Sequence, residues 1–213
     1  MKNILFLTDF SENAWNALKY TISLYENIPC KFYILNSFSE EKHGLDSLNY
    51  LDPYEAFHNS SANNSNEKLE QLLNKLAFFD TDAAHEYFMI AKSGSLLNAT
   101  QKLISQLDID EILIAAKGDS NRKNKILGRN TKTIIKNINK LPILIVPNTC
   151  NSKPTYKIQA KNISFADLQN TLNDGPVMLL KNNTVEEHEE IHGLIDLGIF
   201  QNMYLHLAHH IRL

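Results

Sequence analysis

The feature that most constrains the fold is an alternation of short apolar runs with segments of helical spacing over residues 1–147. The apolar runs end in polar residues, which is typical of strands that are buried on both faces. Between these runs, apolar residues recur every three or four positions, as at Ala14, Leu18 and Ile22, and this spacing predicts amphipathic helices. Strands that alternate with helices in this way predict an α/β fold with a parallel sheet.

Five strands and four helices account for residues 1–147. The predicted strands are NILFLTD, CKFYILNSF, EYFMIAKSG, DEILIAAKG and LPILIVP. The first helix has Ser11 as a candidate N-cap, the second is EKLEQLLNKLAFF, and the others lie at about 95–107 and 126–139. Residues 39–66 are polar and irregular, which predicts a loop. The prediction is an open five-stranded parallel sheet with helices on both faces, followed by a short C-terminal extension.

The sequence pattern changes after Pro147. Residues 148–160 have the composition of a linker, and residues 161–213 contain no complete α/β unit, so we predict a C-terminal extension there. Within it, KNISFADL at 161–168 is similar to KNILFLTDF at 2–10, with one residue missing. This similarity indicates either a truncated second copy of the first domain or a chance match of eight residues.

Composition excludes several classes of protein. The formal net charge is −3 over 213 residues, of which 43% are hydrophobic, so neither disorder nor a general polyanion-binding role is expected, and we predict no nucleic-acid partner. Two cysteines argue against a disulfide-stapled secreted fold. No apolar run approaches the roughly 18 residues that span a bilayer, and the N-terminus lacks a signal-peptide pattern. We therefore expect a cytoplasmic protein without a membrane partner.

One loop concentrates glycine and positive charge. The stretch AAKGDSNRKNKILGRNT at 115–131 follows a predicted strand, leads into a helix, and carries two of the chain's 7 glycines. At the carboxyl end of a parallel strand, glycine lets backbone amides approach a phosphate, and the helix N-terminus adds positive potential. Eight of the 21 Lys and Arg residues lie within 117–140: Lys117, Arg122, Lys123, Lys125, Arg129, Lys132, Lys136 and Lys140. The segment favours an anion, or is simply a solvated basic face.

This loop resembles the signature of the universal stress protein family, which is a glycine, two residues, a glycine, nine residues, a glycine, and then serine or threonine. The opening LFLTDFSENAWNAL and the closing LPILIVP also resemble that family's first strand and turn and its last strand. The resemblance covers residues 1–147 and implies a Rossmann-like fold of the adenine-nucleotide alpha hydrolase type. The matching positions of the signature are Ala115, Gly118, Gly128, Arg129, Asn130 and Thr131.

The resemblance implies that ATP or AMP binds at the carboxyl edge of the sheet. By position, the contacts to adenine and ribose are Thr8, Asp9, Leu35 and Asn36. The implied contacts to phosphate are Gly118, Gly128, Arg129 and Asn130, and the rest of the implied nucleotide site consists of Ala115, Lys117 and Thr131. An aspartate carboxylate accepts hydrogen bonds from ribose hydroxyls.

Two residues depart from the signature. Ala115 replaces the first glycine, and Arg129 replaces a serine or threonine. Because arginine can grip a phosphate or fill the pocket itself, two hypotheses stay open: a nucleotide-binding regulatory or protective protein, and a nucleotide-independent interaction module. We expect no enzyme beyond slow ATP hydrolysis, and no catalytic residues are predicted. The resemblance also implies a homodimer through the last strand, Pro142–Pro147, because that apolar strand would be an exposed edge.

A second motif lies in the extension. HEEIH at 188–192 has the H-E-x-x-H spacing of a zinc site, which would place His188 and His192 on one face of a helix. The surrounding acidic segment is too short to build a substrate cleft, and the extended HxxGxxH form is absent. A surface helix with Val185 and Ile191 facing the domain or a partner is the simpler interpretation, so no metal is expected.

Overall fold

The computed structural model describes residues 1–39, 53–80, 85–118, 126–148, 150 and 154–181. The strands are β1 (Lys2–Leu7), β2 (Cys30–Phe38), β3 (His85–Ser93), β4 (Glu111–Ala115), β5 (Ile143–Val146), β6 (Tyr156–Gln159) and β7 (Val177–Leu180). The helices are α1 (Glu12–Leu24), α2 (Pro53–Phe79), α3 (Leu96–Gln106), α4 (Arg129–Asn137) and α5 (Phe165–Asp174), and a short 3-10 helix spans Ala160–Asn162.

The strands form one sheet in the order β3-β2-β1-β4-β5-β7-β6. Strands β1 to β5 are all parallel, which confirms the predicted five-stranded parallel arrangement. Every residue of β4 and β5 is buried, as their continuous apolar sequences require. The sheet is wider than predicted, because two further strands continue it beyond β5.

Helices cover both faces of the sheet, as predicted. One core cluster includes Ala99 of α3, Ile134 of α4 and Leu168 of α5. The cluster on the other face includes Leu18 of α1 and Leu72 of α2. The hydroxyls of Ser11, Ser95 and Ser164 cap α1, α3 and α5 by accepting a backbone N–H, so serine placement in the sequence marks three helix starts correctly.

Helix α2 begins earlier than the sequence suggests. It spans 27 residues from Pro53, so the prediction of a loop through residue 66 is wrong. The error has a physical cause: the polar NSSANNSN stretch has low helix propensity, but its Ser65 is buried and donates a hydrogen bond to Asn36 at 2.7 Å. This tertiary contact supports a helical turn that local composition does not favour.

The segment 156–180 forms a complete β–α–β unit. Strands β6 and β7 pair in parallel on either side of the crossover through α5, whereas the sequence indicated no complete α/β unit after Pro147. Strand β6 lies inside the stretch 148–160 that was expected to be a linker. The similarity of 161–168 to 2–10 does not correspond to a repeated strand, because residues 165–168 begin α5.

Strand β7 pairs with β5 in antiparallel register, with Leu144 opposite Met178. The edge of β5 that was expected to be exposed is therefore covered within the same chain. A homodimer through Pro142–Pro147 would need β7 to leave this position. The domain boundaries drawn from the sequence stay predictions, although β6, α5 and β7 belong to the compact unit Met1–Asn182.

Among the helices that the structure describes, none is both long and apolar enough to cross a membrane. The motif at His188 and His192 lies outside the described residues, as do Val185 and Ile191. The prediction that this motif binds no metal, and the alternative of a zinc site, are therefore untested.

Candidate functional site

The candidate site lies where β1 and β4 end side by side. The two strands are parallel neighbours, with Leu7 opposite Ile114. Residues 8 and 9 follow β1, and residues 116–118 follow β4, so both segments emerge at the same edge of the sheet. This is the edge at which open parallel sheets bind their ligands.

Asp9 and Gly118 are in direct contact at this edge. A Cβ atom built on Gly118 would lie 2.0 Å from Oδ2 of Asp9, so any larger residue at 118 would displace the Asp9 carboxylate from its present position. Asp9 is exposed, and its Oδ1 accepts a hydrogen bond from the backbone N–H of Ser11 at 3.1 Å. Asn13 of α1 donates its amide to the carbonyl of Gly118 at 3.3 Å. These contacts join the turn after β1 to the loop after β4.

Gly128 ends the loop and caps α4. Its N–H donates to the carbonyl of Ala116 at 2.8 Å, which brings the two ends of the loop together. The helix has no side-chain N-cap, and its first bond runs from Lys132 N–H to the carbonyl of Gly128 at 3.1 Å. The backbone N–H groups of residues 129–131 precede that bond and therefore have no partner within the helix. Such an N-terminus attracts an anion.

The described polar residues of the loop, apart from Thr131, are at least partly accessible to solvent. Arg129 and Asn130 are exposed, and Lys117 is half-buried. The exposure of Arg129 leaves both hypotheses open: an arginine that grips a phosphate and one that blocks the pocket. Residues 119–125 lie outside the described residues.

Three of the predicted adenosine contacts are buried and bonded within the protein. Leu35 is fully buried in the core, and its carbonyl accepts the N–H of Thr8 at 3.0 Å. Asn36 donates its amide to the carbonyl of Thr8 at 2.9 Å and accepts the hydroxyl of Ser65. Thr8 is buried, and its hydroxyl accepts the N–H of Phe10 at 3.0 Å. These side chains hold β1, β2 and α2 in place, whereas Asp9 alone of the four faces outward.

Thr131 and Ala115 are also committed to internal contacts. The hydroxyl of Thr131 donates to the carbonyl of Ala115 at 3.0 Å, and both residues are buried. In this geometry the Thr131 hydroxyl positions the start of α4 against the end of β4, and its hydrogen is not directed to a ligand. Of the polar groups of Thr131, only its backbone N–H therefore remains to bind a phosphate.

Sequence reasoning missed Asn13, Ser65 and Phe10. Asn13 lies in the first turn of α1, and its closeness in sequence to Asp9 could have indicated that it lies near the site. Ser65 gave no signal, because it lay in a stretch that was interpreted as a loop. Phe10 has a φ of 62°, a left-handed conformation that is uncommon for a bulky residue and that tends to occur at functional sites.

Within the part of the chain that the structure describes, no three histidine, cysteine, aspartate or glutamate side chains are grouped as metal ligands. The chemistry that the site offers is an acceptor at Asp9, free helix amides at 129–131, and positive charge at Arg129. This is a set of groups for binding a polar anion.

Comparisons with known proteins agree with this architecture. The chain matches UspA, a universal stress protein from Lactobacillus plantarum, with a TM-score of 0.55 at 16% identity, over 68% of this chain and 96% of that one. It matches the structure of hypothetical protein MJ0577 with a TM-score of 0.53 at 25% identity, over 68% of this chain and 94% of that one. A comparison with curated proteins finds no match. The model of the Universal stress protein family matches residues 1–147, and the chain therefore belongs to that family.

Proposed function

We propose that this protein binds an adenine nucleotide, ATP or AMP, at the C-terminal ends of β1 and β4. The single observation that carries the proposal is the contact between Asp9 and Gly118 beside the N-terminus of α4. This contact places an acceptor for hydroxyl groups next to a cluster of backbone donors, so one small ligand could use both.

The groups at the site suit the two ends of a nucleotide. The carboxylate of Asp9 accepts hydrogen bonds from ribose hydroxyls. The N–H groups of residues 129–131 and the positive end of α4 stabilise phosphate charge. Arg129 is exposed at the start of the helix, where its guanidinium can bind two phosphate oxygens at once. In this proposal the arginine takes over the role that a serine or threonine hydroxyl has in the family signature.

The protein acts as a regulatory or protective protein whose contacts with partners depend on the bound nucleotide. The proposal assigns binding roles and no catalytic residue, so any hydrolysis of ATP is slow. The site lies at an exposed edge of the sheet, where a change of ligand changes the surface that a partner meets.

The first test is to identify the ligand that accompanies the gently purified protein. The protein is denatured, and released small molecules are identified by mass spectrometry. Calorimetric titration with ATP and with AMP follows. We expect a bound adenine nucleotide or a micromolar titration. Protein that is empty and gives no heat with either nucleotide contradicts the proposal.

A matched pair of variants then locates the site. Arg129→Ala removes a charged hydrogen-bond donor from the N-terminus of α4, so we expect affinity for ATP to fall by about tenfold or more. Lys136→Ala removes the same charge from the last turn of the same helix, and we expect affinity to change by less than about threefold. Equal losses in the two variants would indicate a general charge effect and no site at Arg129.

A further inference from the structure

Strand β3 forms one end of the sheet and offers a long edge. It has nine residues and pairs with β2 on one side, and no other described strand pairs with it. Strand β6, at the opposite end, has only four residues. A long strand with unpaired N–H and C=O groups favours the addition of another strand.

The backbone of β3 shows which residues direct their polar groups outward. The N–H of Gly94 donates to the carbonyl of Phe38 in β2 at 2.8 Å. In a strand, the direction of these groups alternates from one residue to the next. The residues of β3 at even positions therefore bond to β2, and Tyr87, Met89 and Ala91 direct their N–H and C=O groups to the free edge.

This alternation in the direction of the backbone N–H and C=O groups allows β3 to pair with a second copy of itself. An antiparallel pairing centred on Met89 places Met89 opposite Met89 and Tyr87 opposite Ala91. All of these residues have outward polar groups, so the two strands can exchange their backbone hydrogen bonds. Phe88 then faces Ile90 of the second copy in a position without backbone bonds, where side chains are closest.

The charges on β3 are complementary in this same register. Glu86 of one copy faces Lys92 of the other, and the two-fold symmetry makes this contact twice. A lysine on an edge strand usually discourages pairing, but here it meets a carboxylate. Glu86 already lies 3.6 Å from Lys31 of its own chain and has a half-exposed side chain, so its outer side can accept a second cation.

An exposed aromatic side chain lies at the centre of the proposed contact. Phe88 is 40% exposed, and its ring stacks on Tyr33 at a centroid distance of 5.1 Å. Phe88, Ile90 and the charged pair share one face of the strand because side chains alternate. Pairing would cover the exposed ring of Phe88 with Ile90 of the second copy.

We propose that two copies of this chain associate through antiparallel pairing of β3 with β3, in the register that places Glu86 opposite Lys92. The contact would extend the sheet across the two copies. It is distinct from a contact through β5, whose edge is covered by β7 in the same chain.

Charge reversal in the full-length chain tests this register. We expect the unaltered protein to be a dimer by light scattering and sedimentation at micromolar concentrations. Glu86→Lys places lysine opposite lysine, and Lys92→Glu places glutamate opposite glutamate, so each variant alone should dimerise at least about tenfold more weakly. Circular dichroism during heating establishes that each variant is folded.

Mixing the two variants gives the decisive result. A Glu86→Lys chain and a Lys92→Glu chain restore both opposite-charge contacts, so the mixture should form a heterodimer although neither component forms a dimer alone. The double variant Glu86→Lys/Lys92→Glu should also recover dimerisation. The control is Lys157→Glu on β6, which should leave the dimer unchanged.

Four results overturn the proposal. These are a monomeric unaltered protein, a dimer that tolerates both single reversals, a mixture that stays monomeric, and a dimer that is lost on Lys157→Glu. The last result would place the contact at β6 instead.

Discussion

The contact between Asp9 and Gly118 makes a measurable prediction about stability. Gly118→Ala would place a methyl group 2.0 Å from Oδ2 of Asp9, and the carboxylate must move to accommodate it. Because this carboxylate ends an exposed side chain, its movement mainly disturbs the hydrogen bond from Ser11 N–H, and we expect Gly118→Ala to lower the free energy of unfolding by about 0.5–1.5 kcal/mol. In an Asp9→Ala background the obstruction is absent, so the same substitution should cost less than in the unaltered protein. Urea unfolding of the four proteins measures this coupling.

Gly128 provides the control for this experiment. A Cβ atom there would lie 3.5 Å or more from its neighbours, and the φ of Gly128 is −69°, so alanine fits without strain. We expect Gly128→Ala to change stability by at most about 1 kcal/mol.

The prediction for Gly118 is contradicted if the effects of Gly118→Ala and Asp9→Ala on the free energy of unfolding are additive. Additive effects would show that the two side chains do not compete for space.

At the residue scale, the sequence predicted which segments come together at the candidate site better than which side chains face outward. Asp9 and the glycines were predictable because turns and close backbone approach have local signatures. The inward direction of Leu35, Asn36 and Thr131 was not, because it depends on strand register and on partners distant in the chain. For Asn36, that partner is Ser65.

At the scale of elements, the sequence predicted β1 to β5 because each is an apolar run between helical segments. Strand β6 escaped this reasoning, because TYKIQ is half-exposed and alternates in burial. Four residues provide too short a pattern to distinguish a strand from an extended linker. The pairing of β7 with β5 was also unpredictable, because β6 and α5 separate the two strands along the chain.

The unit β6–α5–β7 should unfold together with the rest of the sheet. Leu172 of α5 is 1% exposed and belongs to the same core cluster as residues of β4 and β5. We expect Leu172→Ala to lower the free energy of unfolding by about 2–5 kcal/mol. Trp15 is the chain's one tryptophan and lies in α1, so its fluorescence reports unfolding far from the substitution.

The control for Leu172→Ala is Phe165→Ala on the same helix. Phe165 is 40% exposed, so its removal should cost about 1 kcal/mol or less. The prediction is contradicted if the Trp15 transition of Leu172→Ala has the same denaturant midpoint as that of the unaltered protein. That result would mean that the β6–α5–β7 unit unfolds independently of α1.

At the scale of the whole molecule, the two outer strands of the sheet differ in length. The extension continues the sheet beyond β5 by two strands within one chain, and the last of these is short. The opposite end is the long strand β3. The candidate nucleotide site lies between these ends, at the edge shared by β1 and β4, so a ligand and a second copy can bind without competing for residues.

The stability of the whole molecule should decline above pH 9 because of Cys30. This thiol is 0% exposed at the start of β2, and burial raises its pKa from 9.0 to about 11. The folded state thus holds the proton more tightly than the unfolded state. Its contribution to stability is complete below about pH 9 and is lost as pH rises toward 11. Within that window the slope reaches up to about 1.4 kcal/mol per pH unit.

Urea unfolding at pH 8, 9 and 10 measures this decline, with Cys30→Ala as the comparison. Burial also raises the pKa values of the Tyr25 and Tyr87 phenols from 10.0, so their effect begins near pH 10, at the upper end of the measured range, and is common to both proteins. The pKa of Lys181 is lowered by burial, so its contribution changes in the opposite direction and is shared by both proteins. We expect the unaltered protein to lose more stability between pH 8 and 10 than Cys30→Ala does. Parallel pH profiles would mean that Cys30 ionises as readily in the folded chain as in the unfolded one.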